Sequence, residues 1–139
     1  MAHLIELYDT TLRDGTQAEN FNLSVDDKVR ITLALDRLGI DFIEGGWPGS
    51  NPVSVEYFNK MHEIELQHAK LAAFGSTRHF RNAPEMDPNL QALLKAKTPA
   101  ITIFGKSWDI HVRDALHIGL EDNLLIIRDT LEFLRPHVD

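Results

Sequence analysis

Short apolar runs alternate with amphipathic stretches along the chain. Four runs have strand length: Leu4–Tyr8 (LIELY), Phe42–Gly46 (FIEGG) preceded by Ile40, Leu71–Phe74 (LAAF) followed by Gly75, and Ala100–Phe104 (AITIF) followed by Gly105. Runs this short and this apolar suit strands covered on both faces, as in parallel sheets.

Helical patterns fill the gaps. Ser24 and Asp27 have the spacing of a capping box; the pattern then runs to Leu38, where Gly39 ends it. Asn51-Pro52 opens a second helix that carries Val55, Phe58, Asn59 and Met61. Pro88–Lys97 predicts a third, with Leu90, Leu93 and Leu94 on one side. Asn123–Leu134 predicts a fourth, with Leu124, Ile127, Leu131 and Leu134 as its apolar face and Pro136 just beyond. The order βαβαβαβα implies a parallel sheet with helical crossovers. Two architectures fit it: a small open, doubly wound sheet, and part of a (β/α)8 barrel, which in full takes about 250 residues.

Against this frame the unusual polar residues fall after strands. Arg13 and Asp14 follow the first, Glu44 lies at the end of the second, Ser76, Thr77 and Arg78 follow the third, and Lys106 and Ser107 the fourth. That edge binds ligands in both architectures. Glu44 interrupts an apolar strand, so it is either a buried carboxylate held by a cation or metal, or a rim residue in an ordinary salt bridge. Asp14 beside Gly15 also reads as a turn residue. His111 follows the fourth strand within reach of that edge. His3, His62, His68 and His117 read as surface or edge positions, and Trp47 and Trp108 as pocket walls or simple packing. The stretches GSTRHF and FGKSW combine glycine, hydroxyls and cations, a weak pattern for holding phosphate or carboxylate.

Composition narrows the function classes. The 139 residues carry a formal charge of −7 and no cysteine. No basic run is present to neutralise phosphates, so no nucleic-acid partner is expected. Without cysteine there is no disulfide framework or thiolate chemistry. No stretch is long and apolar enough for a membrane span or a signal peptide, so a cytoplasmic location is expected. Neither G-x-G-x-x-G nor G-x-x-x-x-G-K-[ST] occurs, and no H-x-H or H-E-x-x-H pair.

YDTTLRDGTQ resembles the first-strand signature of the DRE-TIM metallolyases. That superfamily includes 2-isopropylmalate synthase, homocitrate synthase, citramalate synthase and hydroxymethylglutaryl-CoA lyase. FIEGGWPGSNP resembles its second-strand glutamate motif. GGWPGSNP, AAFGSTR and FGKSWDIHV are most similar to the citramalate synthases within it. The resemblance spans almost the whole chain and implies an α/β fold: the first four βα units of a TIM (β/α)8 barrel, with residues 1–139 as the N-terminal half of a catalytic domain. It implies Asp14 as a ligand to a divalent metal (Mg, Mn or Zn), and Arg13 as a catalytic residue beside the substrate's keto oxygen. Glu44 would support that pair, and Gln17 would contact substrate. Asp9 is a candidate to orient Arg13.

The implied activity is an acyltransferase that condenses acetyl-CoA with pyruvate to give citramalate, in isoleucine biosynthesis. The alternatives are 2-isopropylmalate synthesis from 2-oxoisovalerate, in leucine biosynthesis, and an inactive half-barrel that self-assembles. The family's H-x-H metal pair and four further βα units are absent, so this chain alone is expected to be inactive. A homodimer is expected.

Overall fold

The computed structural model describes residues 5–139. Its four strands are β1 (Tyr8–Asp9), β2 (Phe42–Gly46), β3 (Lys70–Ser76) and β4 (Ala100–Phe104). They form one parallel sheet in the order β1-β2-β3-β4. The helices are α1 (Val25–Leu38), α2 (Pro52–Met61), α3 (Pro88–Lys95), a short α4 (Asp109–His111) continued by a π-turn over Val112–Leu116, and α5 (Leu120–Leu134).

The local chemistry of each boundary is visible. Ser24 Oγ accepts from the Asp27 amide, the Asp27 side chain accepts from the Ser24 amide, and Gly39 closes α1 in the left-handed conformation. Asn51 caps α2 through the Ser54 amide, and Asp87 caps α3 through the amides of Asn89 and Leu90. β1 is shorter than the predicted Leu4–Tyr8. Leu4, like His3, lies outside the described residues. The Leu7 amide is taken by the Asp41 side chain rather than by a ladder partner.

Consecutive strands lie side by side, and the helices cover one face. Ile43, Leu71 and Ala73 pack into a single core with Tyr57 and Phe58 of α2 and Leu90 and Leu93 of α3, and Ile101 and Ile103 lean on the same cluster. Gly45 is required there: a Cβ would come within 2.7 Å of the Tyr57 ring. The alternate residues, Tyr8, Phe42, Glu44, Ala72, Phe74, Thr102 and Phe104, form the opposite face.

That opposite face is concave. The Tyr8 and Thr102 hydroxyls hydrogen-bond to each other, although β1 and β4 are the outermost strands. In a flat sheet those strands would be about 14 Å apart, so the sheet curls. A curled parallel sheet with sequential strand order and helices on its convex side is four βα units of a (β/α)8 barrel, and it excludes the doubly wound alternative.

In AITIF the isoleucines face the helices, so the concave face of β4 offers Ala100, Thr102 and Phe104. One expectation needs correction. In α5 the buried line is Asn123, Ile126, Thr130 and Leu134, while Leu124 and Leu131 are exposed. The polar members turn inward because they bond the strand-end loops: Asn123 donates to the Lys106 carbonyl, and Thr130 Oγ1 accepts from the Arg78 amide.

Candidate active site

Arg13 sits in the loop after β1, in a turn closed by amides of residues 13, 14 and 15 donating to the Thr10 carbonyl. Its Nε donates to Glu44 Oε2 at 2.9 Å and its Nη1 to Asp14 Oδ1 at 3.1 Å. Its guanidinium carbon lies 4.2 Å above the Phe74 ring. Two carboxylates and an aromatic face therefore fix the plane of the guanidinium. Nη2 makes no hydrogen bond among the described residues and is free for a ligand.

Glu44 is in the middle of β2, on the concave face, and only 1% exposed. The solvated-rim reading is thus excluded. Burial alone would disfavour the carboxylate, and Arg13 supplies the cation it needs. Just past it the strand register shifts between Glu44 and Gly46, a bulge at the strand's ligand-facing end. Asp9 does not orient Arg13. Its carboxylate accepts from the Thr11 amide and hydroxyl instead.

Arg13 and Gln17 line one cavity of about 670 Å³, with Trp47, Phe74 and Phe104 as apolar walls. Trp47 is oriented by an edge contact with Phe74 and by donating Nε1–H to Asn89. Trp108 is exposed and meets His111 edge to face; neither lines a described cavity. Ser76, Thr77, Arg78 and Lys106 line a second cavity of about 830 Å³ with His117. Arg78 is already committed there. It donates to Asp129 and to three backbone carbonyls.

Asp14 fits as one oxygen ligand of a hard cation, since its side chain is 60% exposed and lies beside Arg13. It makes no site alone. No group of three or more His, Asp or Glu able to hold a metal occurs among the described residues.

Several residues at this edge were not expected from the sequence. Tyr8 reaches Thr102 and lies near Glu44. Burial, followed by the nearby Glu44 carboxylate, raises its phenol above the ordinary value despite the bond to Thr102. Lys28 and Ser54 reach the first cavity from α1 and α2. Lys28 is 5% exposed, and burial pushes its ammonium down to about 8. The signal for Lys28 was its spacing. Lys28, Thr32 and Asp36 recur every fourth residue along the buried side of α1.

The HMGL-like family model matches residues 4–139. The chain belongs to the HMGL-like family. It is 54% identical over 135 residues to an (R)-citramalate synthase of Geobacter sulfurreducens, covering 97% of this chain and 26% of that protein. It is 50% identical over 139 residues to an (R)-citramalate synthase of Aquifex aeolicus, again covering 26% of it. A 2-isopropylmalate synthase of Listeria welshimeri is 33% identical over 135 residues, with 25% of its length covered. The chain thus spans about a quarter of the length of the curated relatives it matches. In fold it is similar to hydroxymethylglutaryl-CoA lyase from Pseudomonas aeruginosa: TM-score 0.70, 23% identity, 96% of this chain and 43% of that one. No helix among the described residues is long and apolar enough to cross a membrane.

Proposed function

We propose that residues 1–139 are the N-terminal half of the catalytic barrel of a 2-keto-acid synthase. The intact enzyme condenses acetyl-CoA with pyruvate to give citramalate, in the cytoplasm, on the route to isoleucine. The observation that supports this best is the Arg13 clamp, held by Glu44, Asp14 and Phe74 with Nη2 left open to a cavity.

The residues divide the work. After acetyl-CoA loses an α-proton to a base, its enolate carbon attacks the keto carbon of pyruvate, a C–C bond forms, and the carbonyl π pair collects on the keto oxygen, which then takes up a proton. Arg13 Nη2 donates to that oxygen as its charge grows, without having to reorganise. Glu44 keeps the guanidinium in plane, and Gln17 contacts the acid from the same loop. A divalent cation with Asp14 among its ligands would polarise the same oxygen as a Lewis acid. Hydrolysis of the citramalyl thioester then releases CoA.

The 54% identity to a citramalate synthase against 33% to a 2-isopropylmalate synthase favours pyruvate over 2-oxoisovalerate. The test is release of free CoA by the intact enzyme with each acid as acceptor. Preference for pyruvate is expected. Preference for 2-oxoisovalerate would move the protein to the isopropylmalate branch, and release with neither would remove the reading.

A further inference from the structure

The cavity at Arg13 has a second polar corner, where α1 and α2 meet the end of β2. Two side chains there are more than nine-tenths buried, Lys28 at 5% and Ser54 at 4% exposure. Neither Lys28 Nζ nor Ser54 Oγ has a hydrogen-bond or ion-pair partner among the described residues, yet both line the cavity. Among the described residues, the one contact that favours the Lys28 charge is the face of Tyr57, with Nζ 4.8 Å from the ring centre.

Gly46 makes room between them. A Cβ at that position would lie 3.0 Å from Lys28 Nζ and 3.6 Å from Ser54 Oγ, and its φ of +132° favours glycine. Asn51 caps the ten-residue α2 and Ser54 lies in its first turn, and both line the cavity, so the positive end of that helix faces the same space.

We infer that Lys28, Ser54 and the start of α2 form an oxyanion-binding pocket, adjoining Arg13 but separate from it. The Lys28 stem is buried while its unpaired Nζ is open to solvent at the cavity wall, and an oxyanion in the cavity beside Gly46 would pair with it there. Two sources share this chemistry, the carboxylate of a small acid and a phosphate of an acyl-CoA. The pocket stands on Lys28 and Ser54 and does not depend on the acyltransfer reading.

The test is a titration of the 139-residue chain, with lysine side chains labelled for NMR, by sodium phosphate, pyruvate and coenzyme A in turn at constant ionic strength. The Lys28 ε-methylene signal is expected to move saturably with at least one probe. Lys28→Met is expected to weaken that binding at least tenfold, and Ser54→Ala to weaken it less. Lys28→Met should fold, because it removes a buried charge and keeps the stem's volume. A response to pyruvate alone assigns the carboxylate; a response to phosphate and coenzyme A assigns the phosphate. Unchanged affinity in Lys28→Met, or no saturable shift at Lys28 up to about 50 mM of any probe, would overturn the pocket. Turnover is not read, so loss of the acyltransfer reading leaves this result intact.

Discussion

Arg13 Nε lies 2.9 Å from Glu44 Oε2, and Glu44 has no other charged partner among the described residues. The pair therefore serves the fold as well as the site. Removing the arginine leaves a carboxylate stranded inside the sheet.

Arg13→Ala is expected to destabilise the chain by roughly 3 kcal/mol, the low end for breaking a buried pair, because Arg13 itself is partly exposed. Adding Glu44→Gln should recover part of the loss, since the stranded charge is then gone. Denaturant midpoints of the two single variants and the double variant measure this coupling.

Lys28 and Tyr57 give stability an alkaline optimum. Lys28 is held down at about 8 against an ordinary 10.5, so between those values the unfolded chain binds more protons. Stability from this group therefore rises with pH across that window. Tyr57 is raised far above 10 by burial, which outweighs its bond to Thr32, so its contribution is full below 10 and is lost as pH rises further. Denaturation curves from pH 7 to 11 should rise and then fall. Lys28→Met should abolish the rise.

Two buried carboxylates set the acid limit. Burial pushes Asp36 and Asp87 up, but hydrogen bonds outweigh it. Asp36 accepts from the amides of Gln67, His68 and Ala69, and Asp87 from His79, Asn89, Leu90 and the Asn82 side chain. Both are held below 3.8. Their stabilisation is present above that value and is lost as pH falls through the lowered one. Asp87→Ala is expected to cost about 2–3 kcal/mol, more than a simple cap, because it frees four donors.

The isolated chain is expected to self-associate. Among the described residues β1 and β4 each pair on one side only, and Tyr8 and Phe104 of the concave face are 44% and 51% exposed. Open edges and apolar faces of this kind recruit another chain. Sedimentation at micromolar concentration should give a dimer or larger species; a monomer would contradict this.

The strands, the caps of α1 and α2 and the loop carrying Arg13 were legible because each rests on local rules: apolar runs, a capping box, a Pro after an Asn. The curvature was legible only through the family resemblance and not from periodicity, since it shows in a contact between Tyr8 and Thr102, 94 positions apart. The inward face of α5 was misread for a related reason. Its apolar residues line more than one side, and the bonds that draw Asn123 and Thr130 inward come from loops far along the chain. Arg13, Asp14 and Glu44 stood out by type and position and Gln17 through the family motif, whereas Lys28 is marked only by its helical spacing with Thr32 and Asp36.

The central claim is that Arg13 stabilises charge on the keto oxygen, and the most direct measurement is the turnover of Arg13→Lys in the intact enzyme with saturating pyruvate. Lysine keeps the charge, but its three donors diverge from a single nitrogen, so it cannot hold Glu44 and Asp14 in the guanidinium's plane and reach the keto oxygen as well. Turnover is expected to fall on the order of 100- to 1,000-fold, with the fold intact by circular dichroism. Full turnover in that variant would contradict the role assigned to Arg13.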